Sequence, residues 1–505
     1  MTRAPPLREP LLAGAFFGER HRDVAGRVAG FPHLAQADAL AEWFGAGAVT
    51  LLRAGAAVLA AALDRDIAAI DALLAAAVDA ILHHDRLRAL EGRWRGLAWL
   101  LASLDRSARV KLRLMDASWP ELCRDLERAP EFDQSQLFRK IYEEEFGSPG
   151  GEPFGLLVID HEARHRPTPQ APTDDIGALA QLAGVAAAAF VPTVLAASPA
   201  LLQVGAFSEL ATVEDIAAPF SGPEYDRWRG LASREDMRFL ALVLPRVLAR
   251  PPWPDDPARA DGFRYREHAP DCASRVWMNG GFAFASVVIR AFAANGWPAD
   301  VRGAEVDRIG GGLVTDLPTE RFSTDPDHVW NRPALELAVT DRQERALVDL
   351  GLMPLSCLPY GEELVFGVVR SLHRPPRFTG AAARAAEANA QLSAQINSML
   401  CVSRFAHYVK MMGRDMVGAF RSAEEVERQL QEWLHGYVNG NLAAGSDIRA
   451  RYPLAAAEVS VRERPGLPGS YSCTVRLQPH FQLDDVSASF RLVTDISAPG
   501  SSRAA

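Results

Sequence analysis

One short stretch of the chain has the residue types of a zinc hydrolase. His161, Glu162 and His165 match the pattern H-E-x-x-H, in which two histidines on one helical face bind zinc and the glutamate acts as a general base. The motif follows an apolar run directly and precedes the proline-rich stretch 167–172, which leaves little room for that helix. We therefore expect a loop at a strand end with solvent-facing histidines, and keep a zinc-dependent hydrolase as an alternative function.

Two other places could hold a small molecule. Arg308–Val314 is rich in glycine but lacks the lysine and hydroxyl of a phosphate-binding loop, so a tight turn is predicted. Asp160 and Ser198 each follow an apolar run that predicts a parallel strand, and open α/β sheets bind ligands at that end of their strands. An α/β enzyme with a site near these two residues is the second alternative, although no partner base is discernible.

A strand, a helix and a strand must position these residues. Phe154–Asp160 and Pro192–Ser198 are continuous apolar runs, as is typical of strands buried on both faces. Between them, Thr173 offers an N-cap to an alanine-rich helix that runs to about Ala189. This order predicts a parallel pair of strands with a right-handed crossover.

The whole chain is predicted to be a mixed α/β protein in three parts. Residues 1–70 form an N-terminal arm and helices, and residues 71–377 form the main α/β domain, a central mixed sheet flanked by helices. Residues 378–505 form a C-terminal domain of helices followed by a β-hairpin and strands that alternate at period two.

Within the main domain, local patterns predict further elements. Val110–Asp116 alternates like a strand, and a helix opens at Ser118. Trp228–Val247 predicts a helix that stops at the sequence Leu244-Pro245-Arg246, and a later helix has its N-cap near Thr340. Val365–Arg377 is strand-like and ends in a linker.

Composition excludes several classes of protein. A net charge of -9 over 505 residues gives no electrostatic reason to expect nucleic acid or an anionic membrane as a partner. The five cysteines lie far apart, which favours reduced thiols in the cytoplasm over a disulfide framework or a zinc ribbon. Ile176–Ser208 carries no charge, but its alanines and prolines favour a buried helix and strand, without membrane insertion. No cofactor is expected.

Ile81–Leu100 is dense in aromatic and basic residues without the spacing of any cofactor site. Read as a helix, it gives one apolar stripe, consisting of Leu82, Leu87, Leu90, Trp94, Leu97 and Leu101. Gly92 and Gly96 would allow another segment to approach the backbone closely. We expect Trp94 and Leu97 to pack against the α/β body.

This segment resembles the signature near the start of the large sheath subunit of bacterial type VI secretion systems. Five further segments resemble that family in the same order, roughly over residues 65–495: Glu131–Asp160, Arg234–Leu248, Val276–Ala285, Ser403–Lys410 and Gln478–Asp485. The chain departs from the family at His161 and Ala163, where tyrosine and phenylalanine are common, and at Phe190–Thr193, where His-x-Pro-Phe is common. The first departure places the zinc-like motif where the family has none.

The resemblance implies a structural subunit with no active site and no cofactor. It implies pairing with a small sheath subunit and stacking of the heterodimers in six-fold rings around an inner tube protein. Contraction of this sheath would drive the tube outward. Further implied partners are other copies of the chain, baseplate components and a separate ATP-driven unfoldase that recycles the contracted sheath.

Moving subunits must stay linked, and exchanged arms or edge strands would supply such a link through main-chain hydrogen bonds. The N-terminal arm and the C-terminal strands are the segments expected to do this. The residues predicted to contact other subunits are Arg93, Arg95, Val459, Val461, Val475, Leu477, Phe490 and Leu492.

Overall fold

The computed structural model describes residues 5–15, 19–105, 108–147, 151–305, 308–358, 361–376, 386–387, 390–391, 393–417, 422–441, 444–463, 471–480 and 490–496. The chain divides into two compact units. The first comprises Met1–Leu90 and Pro251–Arg275, and the second comprises Glu91–Arg250 and Val276–Ala505.

The first unit is helical. Its helices are α1 (Arg8–Leu12), α2 (Arg22–Gly30), α3 (Gln36–Phe44), α4 (Gly47–Ala54), α5 (Ala56–Leu82) and the beginning of α6 (Asp85–Ala102). Leu7, Leu11 and Trp43 form a small buried core there. At its edge Arg8 pairs with the buried Asp66, with Nε–Oδ2 at 2.7 Å, and Trp43 donates to the same carboxylate at 3.0 Å. Polar contacts thus tie the arm to α5.

The second unit contains the main sheet. Its helices up to residue 349 are α7 (Trp119–Arg128), α8 (Gln136–Phe138), α9 (Glu144–Gly147), α10 (Asp175–Ala189), α11 (Asp226–Ala232), α12 (Gly280–Asn295) and α13 (Asp341–Asp349). Its strands up to residue 365 are β1 (Leu157–Ala163), β2 (Thr193–Ala197), β3 (Leu240–Leu244), β4 (Val247–Arg250), β5 (Val276–Met278), β6 (Leu313–Val314), β7 (Glu320–Phe322), β8 (Trp330–Arg332), β9 (Met353–Pro354), β10 (Ser356–Cys357) and β11 (Leu364–Val365).

The four-stranded sheet has the order β1-β2-β3-β9, and all its pairs are parallel. The remaining strands pair antiparallel in three small sheets, β4 with β5, β7 with β8, and β10-β11-β6. The predicted strand–helix–strand unit is confirmed as β1, α10 and β2. Its helix begins one residue later than predicted, because Asp174 and not Thr173 is the N-cap.

One helix prediction was wrong. Trp228–Val247 is helical only to Ala232, and β3 and β4 follow. Every residue of β3 is buried, and a short apolar run that is buried on both faces has no period to separate a strand from a helix. Of the strand-like Val365–Arg377, only Val365 lies in a strand, β11, and Arg377 lies outside the described residues.

The C-terminal part is confirmed as helices followed by strands. These are α14 (Ile396–Val417), α15 (Ala423–His435), α16 (Ser446–Arg451), β12 (Leu454–Glu463), β13 (Tyr471–Pro479) and β14 (Phe490–Ile496). The strands form an antiparallel sheet in the order β12-β13-β14. The predicted turn Gly466–Gly469 lies outside the described residues.

The mixed α/β class is confirmed by these elements. Ile176–Ser208 contains the buried α10 and β2, as predicted. Among the described residues, no single helix is long and apolar enough to cross a membrane, although the bent pair α5 and α6 passes that test together on length and composition.

Candidate functional site

The zinc-like motif lies on a strand. His161 and Glu162 belong to β1, and His165 lies two residues beyond its end. His161 stacks on Trp119 with ring centroids 4.1 Å apart, and its Nε2 lies 2.9 Å from the buried carboxylate of Asp175. The helix that would place both imidazoles on one face is therefore absent at this position.

His165 is buried, which overturns the prediction of solvent-facing histidines. Its side chain stacks on Tyr225 with ring centroids 4.2 Å apart, and the residue is 5% exposed. Both ring nitrogens lack a hydrogen-bond partner among the described residues. Burial lowers the pKa of His165 below its usual value, so the ring is neutral at pH 7.

Glu162 is held by an arginine. Its carboxylate accepts from Nε and Nη2 of Arg246 at 2.5 and 2.7 Å, and Arg246 also contacts Glu336 at 3.3 Å. Burial disfavours the guanidinium charge, but the bonds and charge of Glu162 outweigh it and raise the pKa of Arg246. The three residues of the motif thus have separate partners. Within the described ranges, no group of three or more His, Cys, Asp or Glu side chains could hold a metal ion.

Asp160 and Ser198 are not brought together as the α/β-enzyme alternative requires. Asp160 lies inside β1 and does not follow it, and Ser198 lies beyond the register pair Ala163–Ala197. Asp160 accepts from Asn279 at 3.2 Å, and burial raises its pKa. The Ser198 hydroxyl accepts from the amide of Ala200 at 3.3 Å as an N-cap.

The glycines of α6 make a close contact, as predicted. A Cβ atom on Gly92 would lie 2.1 Å from the carbonyl oxygen of Trp277, and one on Gly96 would lie 2.7 Å from the ring of Phe282. Gly92 and Gly96 are buried together with Leu100 on one face of the helix.

The predicted apolar stripe on α6 was wrong. Trp94 is 59% exposed, Leu90 and Leu101 are also exposed, and Leu97 is only half-buried. The prediction that Trp94 packs against the body fails because the glycine face occupies that position.

Arg93 and Arg95 both form ion pairs within the chain. Arg93 Nε lies 3.0 Å from Asp160 Oδ2, with 62% of its side chain exposed. Arg95 Nε lies 2.7 Å from Glu91, which Arg250 also contacts at 2.6 Å. The role of these two arginines in inter-subunit contacts stays a prediction.

The candidate interface residues of the C-terminal strands are mostly internal. Val459, Val461, Val475 and Leu477 are buried in a core that includes α15. Phe490 and Leu492 lie on β14, where the backbone register pairs them with Leu477 and Val475; their side chains lie outside the described part of the chain. Their interface role stays a prediction.

The outer edge of β12 is already occupied by helix side chains. The amide of Val459 donates to Gln431 Oε1 at 2.8 Å, and the amide of Val461 donates to Glu427 Oε2 at 2.8 Å. Both acceptors belong to α15. These two amides are therefore not available to bond an added strand.

Sequence reasoning missed several exposed apolar side chains. The β7–β8 hairpin carries Trp330 at 51% exposure, and Val329 precedes it at 68%. Val110–Asp116, predicted as a strand, belongs to no helix or strand, and Leu114 within it is 66% exposed. The alternating apolar residues predicted a strand, but nothing in the sequence showed that the segment has no strand partner within the described chain.

Comparisons with known proteins found similarity over most of the chain. The family model of the EvpB/VC_A0108 tail sheath N-terminal domain matches residues 64–373, and that of the EvpB/VC_A0108 tail sheath gpW/gp25-like domain matches residues 385–496. The type VI secretion system sheath protein TssC1 of Pseudomonas aeruginosa is 37% identical over 435 residues, which is 85% of each chain. A sheath tail protein of Desulfitobacterium hafniense matches 64% of this chain and 62% of its own, with 10% identity and a TM-score of 0.28, too low to support an argument.

Proposed function

The chain belongs to the family of type VI secretion tail sheath proteins, as a large sheath subunit, and from that membership we propose that it pairs with a small sheath subunit and polymerises around an inner tube. The observation that carries the proposal is that both tail sheath domains match, in order, along one chain. The side chains that would favour catalysis are held by separate partners within the fold, as described for His161, Glu162 and His165.

The proposed mechanism is mechanical. Subunits stack in six-fold rings in an extended, metastable packing, and rotation of each body increases its contact area and shortens the sheath. The tube is pushed outward. Baseplate components start the assembly, and a separate ATP-driven unfoldase recycles the contracted form.

The proposed compartment is the cytoplasm. Cys123, Cys401 and Cys473 are buried and form no disulfide. Unpaired thiols of this kind persist where glutathione and thioredoxin keep them reduced. Assembly of the sheath would take place there.

Co-expression with the adjacent small-subunit candidate, followed by affinity purification and electron microscopy, tests the proposal. We expect a stable heterodimer and tubular assemblies, and neither from the small subunit expressed alone. If the two chains do not co-purify and no tubes form, the proposed function is wrong.

A further inference from the structure

Three asparagines of the chain are followed directly by glycine: Asn279, Asn295 and Asn439. The side-chain carbonyl of an asparagine can be attacked by the main-chain amide nitrogen of the next residue. Glycine hinders that attack least because it has no side chain, and asparagine is a thermolabile residue for such reasons. The three sites share this sequence, but the structure gives them different surroundings.

Asn439 lies in the segment that joins α15 to α16. It is half-buried, and Gly440 is exposed. The main-chain amide of Asn441 donates to Asn439 Oδ1 at 2.9 Å, a turn in which the side chain folds back along the main chain that follows it. This bond polarises the side-chain carbonyl and favours negative charge on its oxygen when a nucleophile adds.

The two nitrogens that would take part in the reaction at Asn439 are available. The amide of Gly440 is the nucleophile and Asn439 Nδ2 is the leaving nitrogen, and neither donates a hydrogen bond to any residue that the structure describes. No described atom lies within 4 Å of the place where a Cβ on Gly440 would stand. The site therefore has room for a ring to close and for water to enter.

Asn279 forms the same kind of turn in closed surroundings. Its Oδ1 accepts from the amide of Gly281 at 2.7 Å, but its Nδ2 donates to Asp160 at 3.2 Å. The residue is 6% exposed, and a Cβ on Gly280 would lie 2.6 Å from Cγ1 of Val243. The leaving nitrogen is thus held, and the surrounding side chains leave no space for water.

Asn295 is protected in another way. It is the last residue of α12, and the amide of Gly296 donates to the carbonyl of Phe292 at 2.8 Å. The nitrogen that would attack is therefore used to cap the helix. Of the three asparagines, Asn439 alone has its nucleophile, leaving group and surroundings all open within the described part of the chain.

We propose that Asn439 is a site of spontaneous covalent modification, at which the folded chain converts asparagine to isoaspartate and aspartate. The Gly440 nitrogen bonds to Asn439 Cγ and loses its proton, and the bond from Cγ to Nδ2 breaks with release of ammonia. Water then opens the cyclic imide at either carbonyl, which restores one amide and leaves one carboxyl group. No electrons are transferred, and water is the only co-reactant.

The product changes both charge and chain length at this position. A neutral side chain becomes a carboxylate, and in isoaspartate the main chain gains one carbon atom between residues 439 and 440. The change falls beside two main-chain bonds to the first residue of β12, from Asn439 to the Leu454 carbonyl at 2.8 Å and from Leu454 to the Tyr437 carbonyl at 3.2 Å. This inference goes beyond the proposed function, since the reaction needs only the folded chain and water.

Mass spectrometry of the full chain tests the proposal. The purified protein is kept for days at neutral pH in water enriched in heavy oxygen, which labels the new carboxyl group. It is then digested in ordinary water, so that changes during digestion stay unlabelled. We expect label at Asn439 to appear at least tenfold faster than at Asn279 and Asn295. In concentrated urea, where the fold no longer distinguishes them, the three asparagines should react at comparable rates.

Gly440→Ala adds a methyl group beside the attacking nitrogen and should slow the reaction at Asn439 at least tenfold. Open space surrounds Gly440, so the melting temperature of this variant should match that of the wild-type chain. Gly445→Ala is the matched control, because it also has open space but does not follow an asparagine; it should leave the rate at Asn439 unchanged.

Three results would overturn the proposal. The first is an equal rate at the three asparagines of the folded chain. The second is a reaction at Asn439 in urea with none in the folded chain. The third is an unchanged rate in Gly440→Ala.

Discussion

Two glycines of α6 determine how closely that helix lies to its neighbours. The carbonyl of Trp277 and the ring of Phe282 occupy the space that side chains at Gly92 and Gly96 would fill. At both positions the backbone of α6 itself lies against the neighbouring group, because glycine has no Cβ atom. The close packing therefore depends on the absence of a methyl group more than on any apolar side chain of the helix.

Gly92→Ala should destabilise the protein by about 1–3 kcal/mol, because its Cβ would overlap the Trp277 carbonyl and force the helix outward. The melting temperature of the purified chain measures this. Gly230→Ala is the matched control, since it is also helical and nothing lies within 4 Å of its added methyl; it should be neutral or raise stability by about 0.5–1 kcal/mol. Equal melting temperatures for the two variants would show that the contact at Gly92 does tolerate a methyl group.

Because His407 is buried, we expect the free energy of unfolding to depend on pH. Its ring is 2% exposed, and burial lowers its pKa to about 4 from the ordinary 6.5. The unfolded chain therefore takes up a proton first as the pH falls. The stabilisation is present above pH 6.5 and is lost between 6.5 and 4, amounting to about 2 kcal/mol between pH 7 and pH 5. Urea unfolding at several pH values measures it.

His407→Gln provides the comparison for that measurement. Glutamine can still donate to the carbonyl of Ala189, which lies 3.1 Å from His407 Nε2, but it does not titrate. The variant should show a shallower loss of stability between pH 6.5 and 4 than the wild-type chain. The same slope in both chains would show that other groups cause it.

The separate partners of His161, Glu162 and His165 predict that the purified protein contains well under one zinc per chain. Metal analysis by mass spectrometry measures this, and a chelator should leave the melting temperature unchanged. Stoichiometric zinc that is lost in His165→Ala would contradict the structural account of the motif.

At the scale of elements, local signals predicted where two helices begin. Ser118 and Thr340 cap α7 and α13 as predicted, each with a glutamate or glutamine three residues later that completes a capping box. The sequence could not distinguish β3 from a helix, since its five residues are all apolar and buried. It also could not show that Gly92 and Gly96 form the buried face of α6, because glycine contributes nothing to an apolar stripe.

Asp66 predicts how firmly the arm is attached. Its carboxylate is 4% exposed and pairs with Arg8 through Nε and Nη2. Asp66→Asn leaves the Arg8 charge without its counterion, so α1 should open more readily by about 1–3 kcal/mol. Hydrogen exchange of the amides of α1 measures this opening.

Arg22→Ala is the control within the same arm. Arg22 pairs with Glu19 on the surface, with side-chain exposures of 76 and 86%, and such pairs contribute at most about 1 kcal/mol. Exchange in α1 should therefore match the wild-type rate in this variant. Equal effects of the two substitutions would show that the buried carboxylate does not anchor the arm.

At the scale of the whole molecule, each of the two cores of the second unit contains buried cysteine thiols. Cys123 lies in the core of the main sheet, and Cys401 and Cys473 lie in the C-terminal core. Burial raises the pKa of each to about 12, so their native thiolate populations are very small.

We expect these three cysteines to react with a thiol reagent only on unfolding, and the partly exposed Cys272 to react first. Labelling followed by peptide mass spectrometry gives each rate in increasing urea. Equal rates for Cys123 and Cys473 would indicate that the two cores unfold together, and fast labelling of either in native buffer would contradict the burial.

The closed edge of β12 has a consequence for how copies of the chain can join. With Gln431 and Glu427 bonded to its outward amides, strand addition to this sheet is confined to the side of β14. If two copies joined through the β14 edges of their sheets, the contact would be isologous and assembly would stop at a dimer. If a neighbour's arm supplied the added strand instead, the contact would be heterologous, and each copy could still receive a strand from another copy. In the proposed sheath, donor and acceptor are then different segments, and the filament acquires a polarity with two chemically distinct ends.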